Sequence, residues 1–487
     1  MRRAARATAL ISIGQAAVKT TQLVLAVLLV RLMSPEEWNE AAFLLSIYLA
    51  GTTIGTLNIH HGIVFFLPRV DQRKRRNLVL QNVGLVLGIG LLVTLALIVA
   101  RPLLSGGQLG DGSALPWLGL AITLELPSSC VGMTMIGLER YGSVAMWDLA
   151  GTGALLAGAI VPVAAGYGID GLVVGLLLAG TVRFVAGLWY LFAAVPGSAG
   201  GLGRSLLLDQ LRYGIPLGAT IAVAVLNRSI DKWLIAAFEP ADFGIYAVAA
   251  QEVPLLAVLP YAGGAALVTS LVAAFHDADR AAAHADWLQL TGAMTLLVVP
   301  LGVGLILVAP ELLPAIFGEE FARGVLPFQV FTAITLHRVA EYGMMLRAAG
   351  RTRELLQVAG VTLGANIVLA GLGAWLGGMT GSACGALLAS ALGWTVALRH
   401  IGRSLGVPVR HAFPWPRWSA AVATCSTAAM IAWALSRVLD VGGMASAGLQ
   451  LLVFVVLVAP ALGVVAAATP TALEPPHRPP ATLRSVI

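Results

Sequence analysis

The sequence predicts an all-α integral membrane protein of about fourteen transmembrane helices, two parallel six-helix lobes with two C-terminal helices appended. Three observations carry this. The chain is 58% hydrophobic and 11% charged, with a mean hydropathy of +0.87, whereas soluble domains are about a quarter charged. Its basic residues fall in alternate breaks between apolar runs. Local patterns recur about 205 to 210 residues apart, at Pro35 and Pro240 and at Gly168 and Gly378.

A helix needs about 20 mainly apolar residues to cross the hydrocarbon layer. Runs of that kind, separated by polar or Gly/Pro breaks, fall at 9–33, 38–67, 78–100, 116–137, 143–165, 172–195, 213–237, 243–274, 287–309, 325–346, 355–376, 379–398, 418–437 and 445–468. The first has a basic start, but it is too long and too polar-studded for a signal peptide and reads as a retained span. The tail TPTALEPPHRPPATLRSVI is Pro-rich and reads as disordered.

Threading these spans alternately puts 21 of the 30 basic residues on one face and 4 on the other, with 5 inside spans. The rich face collects the run RVDQRKRR from Arg69 to Arg76, Arg140, Arg204, Arg280, Arg351, Arg403 and Arg410. The poor face holds Arg31, Arg101, Arg323 and Arg437. Basic loops stay inside, so both termini are expected in the cytoplasm. The net charge of +6 is then a topology signal, and no nucleic-acid partner is read from it. Cys130, Cys384 and Cys425 lie far apart in apolar runs, without metal-ligand spacing. No cofactor is expected.

After the first span the chain reads SPEEWNEAAFL from Ser34, and after the seventh EPADFGIYAVA from Glu239. Pro35 aligns with Pro240, Glu37 with Asp242, and Trp38 with Phe243. GIDGLVVG from Gly168 and GMTGSACG from Gly378 share GxxGxxxG. Both pairs fall at equivalent places in the span count. They define an N-terminal lobe over 1–197, a C-terminal lobe over 204–404, two further helices over 405–468 and a tail over 469–487. Six spans is an even number, so the lobes enter from the same side and the repeat is parallel. Transporters use such repeats, with the substrate path between them.

LRYGIPLGATIAVAVLNRSIDKWLIAAFEPADFGIYAVAAQEVP, from Leu211 to Pro254, resembles the start of the second lobe in polysaccharide-biosynthesis flippases. These belong to the multidrug/oligosaccharidyl-lipid/polysaccharide exporter superfamily. The first-span region, PELLPAIFGEEF from Pro310 and AAGRTRELL from Ala348 are similar to the same family. The resemblance implies transport of undecaprenyl-diphosphate-linked oligosaccharide across the bacterial inner membrane. It implies as partners that lipid-linked substrate, membrane lipids, and a polysaccharide polymerase and glycosyltransferases. One departure stands out: the family has an aromatic-Gly pair after the first-lobe Pro, where this chain has Trp38-Asn39-Glu40.

Ionisable residues inside spans are costly and mark functional candidates. Lys19 lies on one helical face with Gln15 and Gln22 and is a candidate diphosphate partner. Arg183 in span six has no carboxylate within a turn and needs a partner from elsewhere. Span seven carries Asn227, Arg228, Asp231 and Lys232, spaced for pairing within the helix. Arg183, Asn227, Arg228 and Asp231 complete the expected substrate set. Glu125 before Pro127, Glu252 beside Gln251, and Glu341 with His337 and Arg338 are candidate ion-coupling sites. For each, an interhelical hydrogen bond is the structural alternative. Asn58, His60 and His61 fall in a break of span two, and adjacent histidines point apart on a helix, which disfavours a metal site.

Enzyme chemistry is not expected. The lysines are Lys19, Lys74 and Lys232, none after a glycine, so a phosphate loop ending in Gly-Lys-Ser/Thr is excluded. HDADR from His276 contains Asp-x-Asp, but in a short loop beside a helix. Two readings stand beside the flippase: a cation-coupled multidrug exporter, with a carboxylate-centred cavity, and a non-transport scaffold of a polysaccharide synthesis complex.

Overall fold

The computed structural model describes residues 20–104, 112–195, 197 and 203–469. Among them there is no strand. The helices are α1 (Thr20–Leu32), α2 (Pro35–Ile54), α3 (His61–Phe66), α4 (Gln72–Leu104), α5 (Ala114–Glu125), α6 (Pro127–Gly137), α7 (Tyr141–Pro162), α8 (Gly168–Ala194) and α9 (Arg204–Phe238). They continue with α10 (Phe243–Ala249), α11 (Pro254–His276), α12 (Arg280–Phe317), α13 (Val325–Thr335), α14 (Tyr342–Ala348), α15 (Thr352–Leu405), α16 (Trp415–Val438) and α17 (Gly443–Ala468).

Among the described residues these elements fall on the fourteen expected spans, the first of which is described only over Thr20–Leu32. Spans two, four, eight and ten are each made of two pieces: α2 with α3, α5 with α6, α10 with α11, and α13 with α14. Spans eleven and twelve together form α15. The sequence marks the break in span two, whereas spans eight and ten read there as continuous. Their interruptions fall at 250–253 and 336–341, where Gln251-Glu252 precedes Pro254 and where His337-Arg338 precedes Glu341. Polar side chains and a proline, which lacks an N–H and restricts its predecessor, end the helix inside an apolar run. Lys19, Gln15 and the C-terminal tail lie outside the described residues.

Contacts divide the chain into two compact units. Unit 1 comprises Met1–Pro254, Ile316–Pro327 and Leu363–Ala386, and unit 2 comprises Leu255–Ala315, Phe328–Thr362 and Leu387–Ile487. In unit 1, α2 starts with Pro35 in the first turn and a capping box, in which Ser34 and Glu37 each bond the other's backbone N–H. At both GxxGxxxG sequences, between spans five and six and between spans eleven and twelve, the helical path is broken at the first glycine. Gly168 has φ 52° and ψ −137°, and Gly378 has φ 56° and ψ −140°. Only glycine holds that conformation without strain. A carboxylate stands at each turn: Cβ atoms built on Gly168 and Gly378 would fall 3.0 Å from Glu37 Oε1 and 2.5 Å from Glu239 Oε1. Met379 N donates to Glu239 Oε2 at 3.1 Å, satisfying an exposed N–H at a helix start.

Unit 2 is organised around Trp287, fully buried among Leu271, Met345, Ile401 and Leu405, with its Nε1 donating to Ala412 O at 2.9 Å. Trp394 packs against His337, Phe413, Trp415 and Trp418. Asp279 of the Asp-x-Asp sequence caps α12, accepting from Ala282 N at 2.9 Å.

Candidate functional site

In unit 1 the candidate residues fall in two clusters and one seam, beside a buried amide group that joins Gln81 and Asn82 of α4 to Gln210 of α9. The first cluster belongs to the N-terminal lobe. Arg183 of α8 forms an ion pair with Glu125 at the end of α5. Ser128 Oγ donates to the same Glu125 Oε1 at 3.0 Å, and Trp147 Nε1 donates to Ser128 O at 3.2 Å. The guanidinium also lies 5.6 Å from the Trp147 ring, a cation–π distance. Gly151 makes room for it, since a Cβ there would sit 2.6 Å from Arg183 Cζ. The partner that Arg183 lacks on its own helix is therefore supplied by span four. This joins two residues that the sequence assigns to different tasks, Arg183 to the substrate and Glu125 to ion coupling. In the ground state their charges compensate each other.

The second cluster lies in the C-terminal lobe's share of unit 1. Asp231 of α9 is 3% exposed and accepts from Tyr246 Oη at 3.3 Å, while Tyr246 Oη also bonds Ser382 Oγ at 3.1 Å. Asn366 Nδ2 donates to Asn227 O at 3.0 Å and reaches Asn227 Oδ1 at 3.4 Å, leaving Asn366 Oδ1 buried with no partner. Pairing inside α9 is thus replaced by bonds from α9 to α10 and to α15. The carboxylate, phenol and hydroxyl of Asp231, Tyr246 and Ser382 make an oxygen-rich group able to hold a proton or a small hard cation, and the Asn227–Asn366 amide pair lies a helical turn away along α9. Arg228 is exposed, and Lys232 Nζ turns back to Arg228 O at 2.7 Å. Gln22 is half-buried on α1.

The seam joins the repeated segments after spans one and seven. Trp38 Nε1 donates to Gly244 O at 3.1 Å, Asn39 Nδ2 to Pro240 O at 2.7 Å, and Gly244 N to Asn39 Oδ1 at 2.6 Å. Phe43 and Phe243 meet edge to face, with centroids 5.3 Å apart. The departure noted in the sequence, Asn39 where the second lobe has Gly244, is what makes this contact. Asn39 brings an amide, and Gly244 leaves bare backbone to receive it. A Cβ on Gly244 would lie 2.8 Å from Trp38 Cδ1.

Unit 2 holds His337, Arg338 and Glu341 at the interruption of span ten, while Glu252, His60 and His61 belong to unit 1. His337 bonds Ser390 Oγ at 3.0 Å, Trp418 Nε1 donates to Leu336 O at 2.6 Å, and Tyr342 Oη donates to His337 O at 2.6 Å. Carbonyls freed by the break are thereby satisfied, as an apolar surrounding requires. Glu341 pairs with Arg347 through both oxygens at 2.6 Å. Glu252 is exposed in the interruption of span eight. His60 and His61 are adjacent rings, and no group of three or more His, Cys, Asp or Glu suited to a metal occurs among the described residues.

Tyr246, Ser382, Asn366 and Ser128 are site residues that sequence reasoning passed over. All are neutral, and small or neutral polar residues in apolar spans raise no alarm. Asn366 in GANIVLAGL was the available signal.

Duplicated six-helix lobes, spans interrupted at polar residues, and buried charged groups tied across helices define the class: a multi-pass membrane protein with a transporter fold. The chain belongs to the polysaccharide biosynthesis protein family, whose sequence pattern residues 28–326 match. No curated protein matches its sequence. Among solved structures it is similar to the lipid II flippase MurJ in an inward closed conformation, with a TM-score of 0.71 at 13% identity over 94% of this chain and 98% of that one. It is also similar to an inward-facing multidrug resistance MATE family transporter of the MOP superfamily, with a TM-score of 0.65 at 13% identity over 80% and 95% of the two chains. A MOP superfamily transporter from Pyrococcus furiosus follows at a TM-score of 0.58 and 15% identity, over 82% and 96%. The fold is that of the superfamily's flippases and exporters.

Proposed function

We propose that this protein is a flippase that moves an undecaprenyl-diphosphate-linked oligosaccharide across the bacterial inner membrane, with both termini in the cytoplasm. The observation that carries the reading is the polysaccharide-biosynthesis family match over residues 28–326, on a chain of which 94% takes the fold of a lipid II flippase.

Alternating access of the two repeats would pass the charged head group while the lipid tail stays in the bilayer. Arg228, exposed on α9, and Lys19 would neutralise the diphosphate. Arg183 is a weaker candidate while it is paired with Glu125. The Asp231 cluster is the best-built place for the coupling proton or cation, ahead of Glu252 and Glu341. Polymerase and glycosyltransferases would be partners on either side of the transport step.

Deleting the gene should abolish a surface glycan and let lipid-linked repeat units accumulate inside. Normal glycan together with raised sensitivity to cationic drugs would assign the protein to drug export instead. Arg228→Ala should abolish complementation at normal expression; full complementation would remove Arg228 from the path.

A further inference from the structure

In unit 1, α9 is tied to the first repeat at both of its ends. At its far end lies the seam, where Trp38 and Asn39 bond Gly244 and Pro240. At its start lies a group of three amides. Gln210 of α9 is fully buried, and Gln81 and Asn82 of α4 are 2% and 0% exposed. Gln210 Nε2 donates to Gln81 Oε1 at 2.9 Å, and Asn82 Nδ2 donates to Gln210 Oε1. Gln210 Nε2 also reaches Leu206 O at 3.2 Å, and Asn82 Nδ2 reaches Leu78 O at 3.1 Å, each one turn back along its own helix. Turning the three amides together exchanges donors for acceptors and leaves the two helices joined.

From Gln210 to Phe238, where α9 ends, the helix runs about 42 Å at about 1.5 Å per residue. The hydrocarbon layer is about 30 Å thick, so the amides and the seam lie at opposite faces of the membrane. The arginine-rich stretch from Arg69 to Arg76 leads into α4 just ahead of Gln81, which puts the amides on the face expected inside the cell.

The amide end is closed at a cost. Asn82 Oδ1 is buried without a hydrogen-bond partner, and a bare acceptor has given up water for nothing. One turn beyond Gln210 on the same face of α9, Gly214 packs on the break in span two. A Cβ there would lie 2.9 Å from Ile59 Cγ1, and one on Gly218 would lie 2.7 Å from Leu57 C. Leu57 holds φ 40° and Asn58 φ 56°, a left-handed backbone that leucine adopts only under strain. Ile59 is 1% exposed in this contact. Neutral amides part without stranding a charge, and water replaces each bond at a small net loss.

We infer that Gln81, Asn82 and Gln210 are a latch that closes the cytoplasmic end of the path between the two repeats, and that the latch and the Asn39 seam open in alternation. In this structure both are shut. The inference rests on transport by alternating access and on no particular substrate. A path open at both ends would leak, so parting the amides must favour a closed seam, and opening the seam must favour joined amides.

The test uses the full chain purified in detergent and N-ethylmaleimide, with labelling at each site read by peptide mass. It needs no transport assay, so its outcome is separate from the identity of the cargo. Ile59→Cys reports the latch, and Phe243→Cys, at a position fully buried beneath the seam, reports the seam. Gln210→Asn keeps the amide but withdraws it by one methylene. It should speed labelling of Ile59→Cys roughly fivefold, the weight of one net hydrogen bond, and slow that of Phe243→Cys. An unchanged rate at either site overturns the inference. So do rates that rise together, which would make the amides packing whose loss loosens the fold. Should Gln210→Asn not fold, Asn39→Gly with the amides intact should slow labelling of Ile59→Cys; an unchanged or faster rate overturns the alternation.

Discussion

The two halves of the repeat share a turn geometry and differ in chemistry. The hairpin turns at Gly168 and Gly378 have φ and ψ within a few degrees of each other, and each has a glutamate side chain set against it. The polar clusters differ. The first lobe holds a compensated charge pair, Arg183 with Glu125, and the second holds a single carboxylate among neutral donors, Asp231 with Tyr246 and Ser382. Backbone geometry at a turn is dictated by sterics that any copy must obey. Side chains in a span are free to diverge provided each polar group finds a partner. The difference teaches that the first lobe balances a carboxylate with a cation from another helix, whereas the second surrounds its carboxylate with neutral groups.

Breaking the charge pair should have the largest effect. Glu125→Ala leaves Arg183 as an uncompensated cation, and removing one partner of a buried pair costs about 3–5 kcal/mol. The thermal midpoint in detergent should drop sharply, and the double variant Glu125→Gln with Arg183→Met should recover most of the loss. If the double variant is as unstable as the single, the pair is not what holds the cluster. If it is stable and still transports, the first lobe's charges are structural.

Gly378→Ala comes next. A side chain at φ 56° and ψ −140° costs roughly 1–3 kcal/mol, and here the new Cβ also meets the Glu239 carboxylate at 2.5 Å. Gly168→Ala faces the same backbone strain but a looser 3.0 Å contact with Glu37, so it should destabilise less. Equal midpoint shifts for the two would show that the carboxylates contribute nothing to the turns.

Asn39→Gly makes the first lobe copy the second at the seam. It removes two hydrogen bonds, to Pro240 O and from Gly244 N, together worth about 2 kcal/mol. The expected readout is faster labelling of a cysteine placed at Phe243, which is fully buried beneath the seam. Unchanged labelling would mean that Trp38 and Phe43 close the seam alone.

How much of this was legible follows from what kind of constraint each feature obeys. The spans and the turns at Gly168 and Gly378 were legible because apolar length and glycine conformations act locally. That Arg183 needed a distant partner was legible from its own helix, but the identity of Glu125 was not, since spans four and six meet only in the fold. The interruptions at 250–253 and 336–341 were hidden because short polar breaks inside apolar runs keep the average hydropathy high. Tyr246, Ser382 and Asn366 were hidden for the same reason, being neutral.

Tyr246→Phe is the mildest change and the sharpest on the second lobe. It deletes one hydroxyl that bonds both Asp231 and Ser382 and keeps the ring that fills the core, so the stability cost should be about 1 kcal/mol. If Asp231 is the exchanging group, the loss of its neutral donor should alter the pH or ion dependence of transport while the thermal midpoint barely moves. Asp231→Asn should then abolish that dependence altogether. A Tyr246→Phe protein with an unchanged pH and ion profile would reduce the second cluster to packing, and the contrast between the lobes would be one of structure alone.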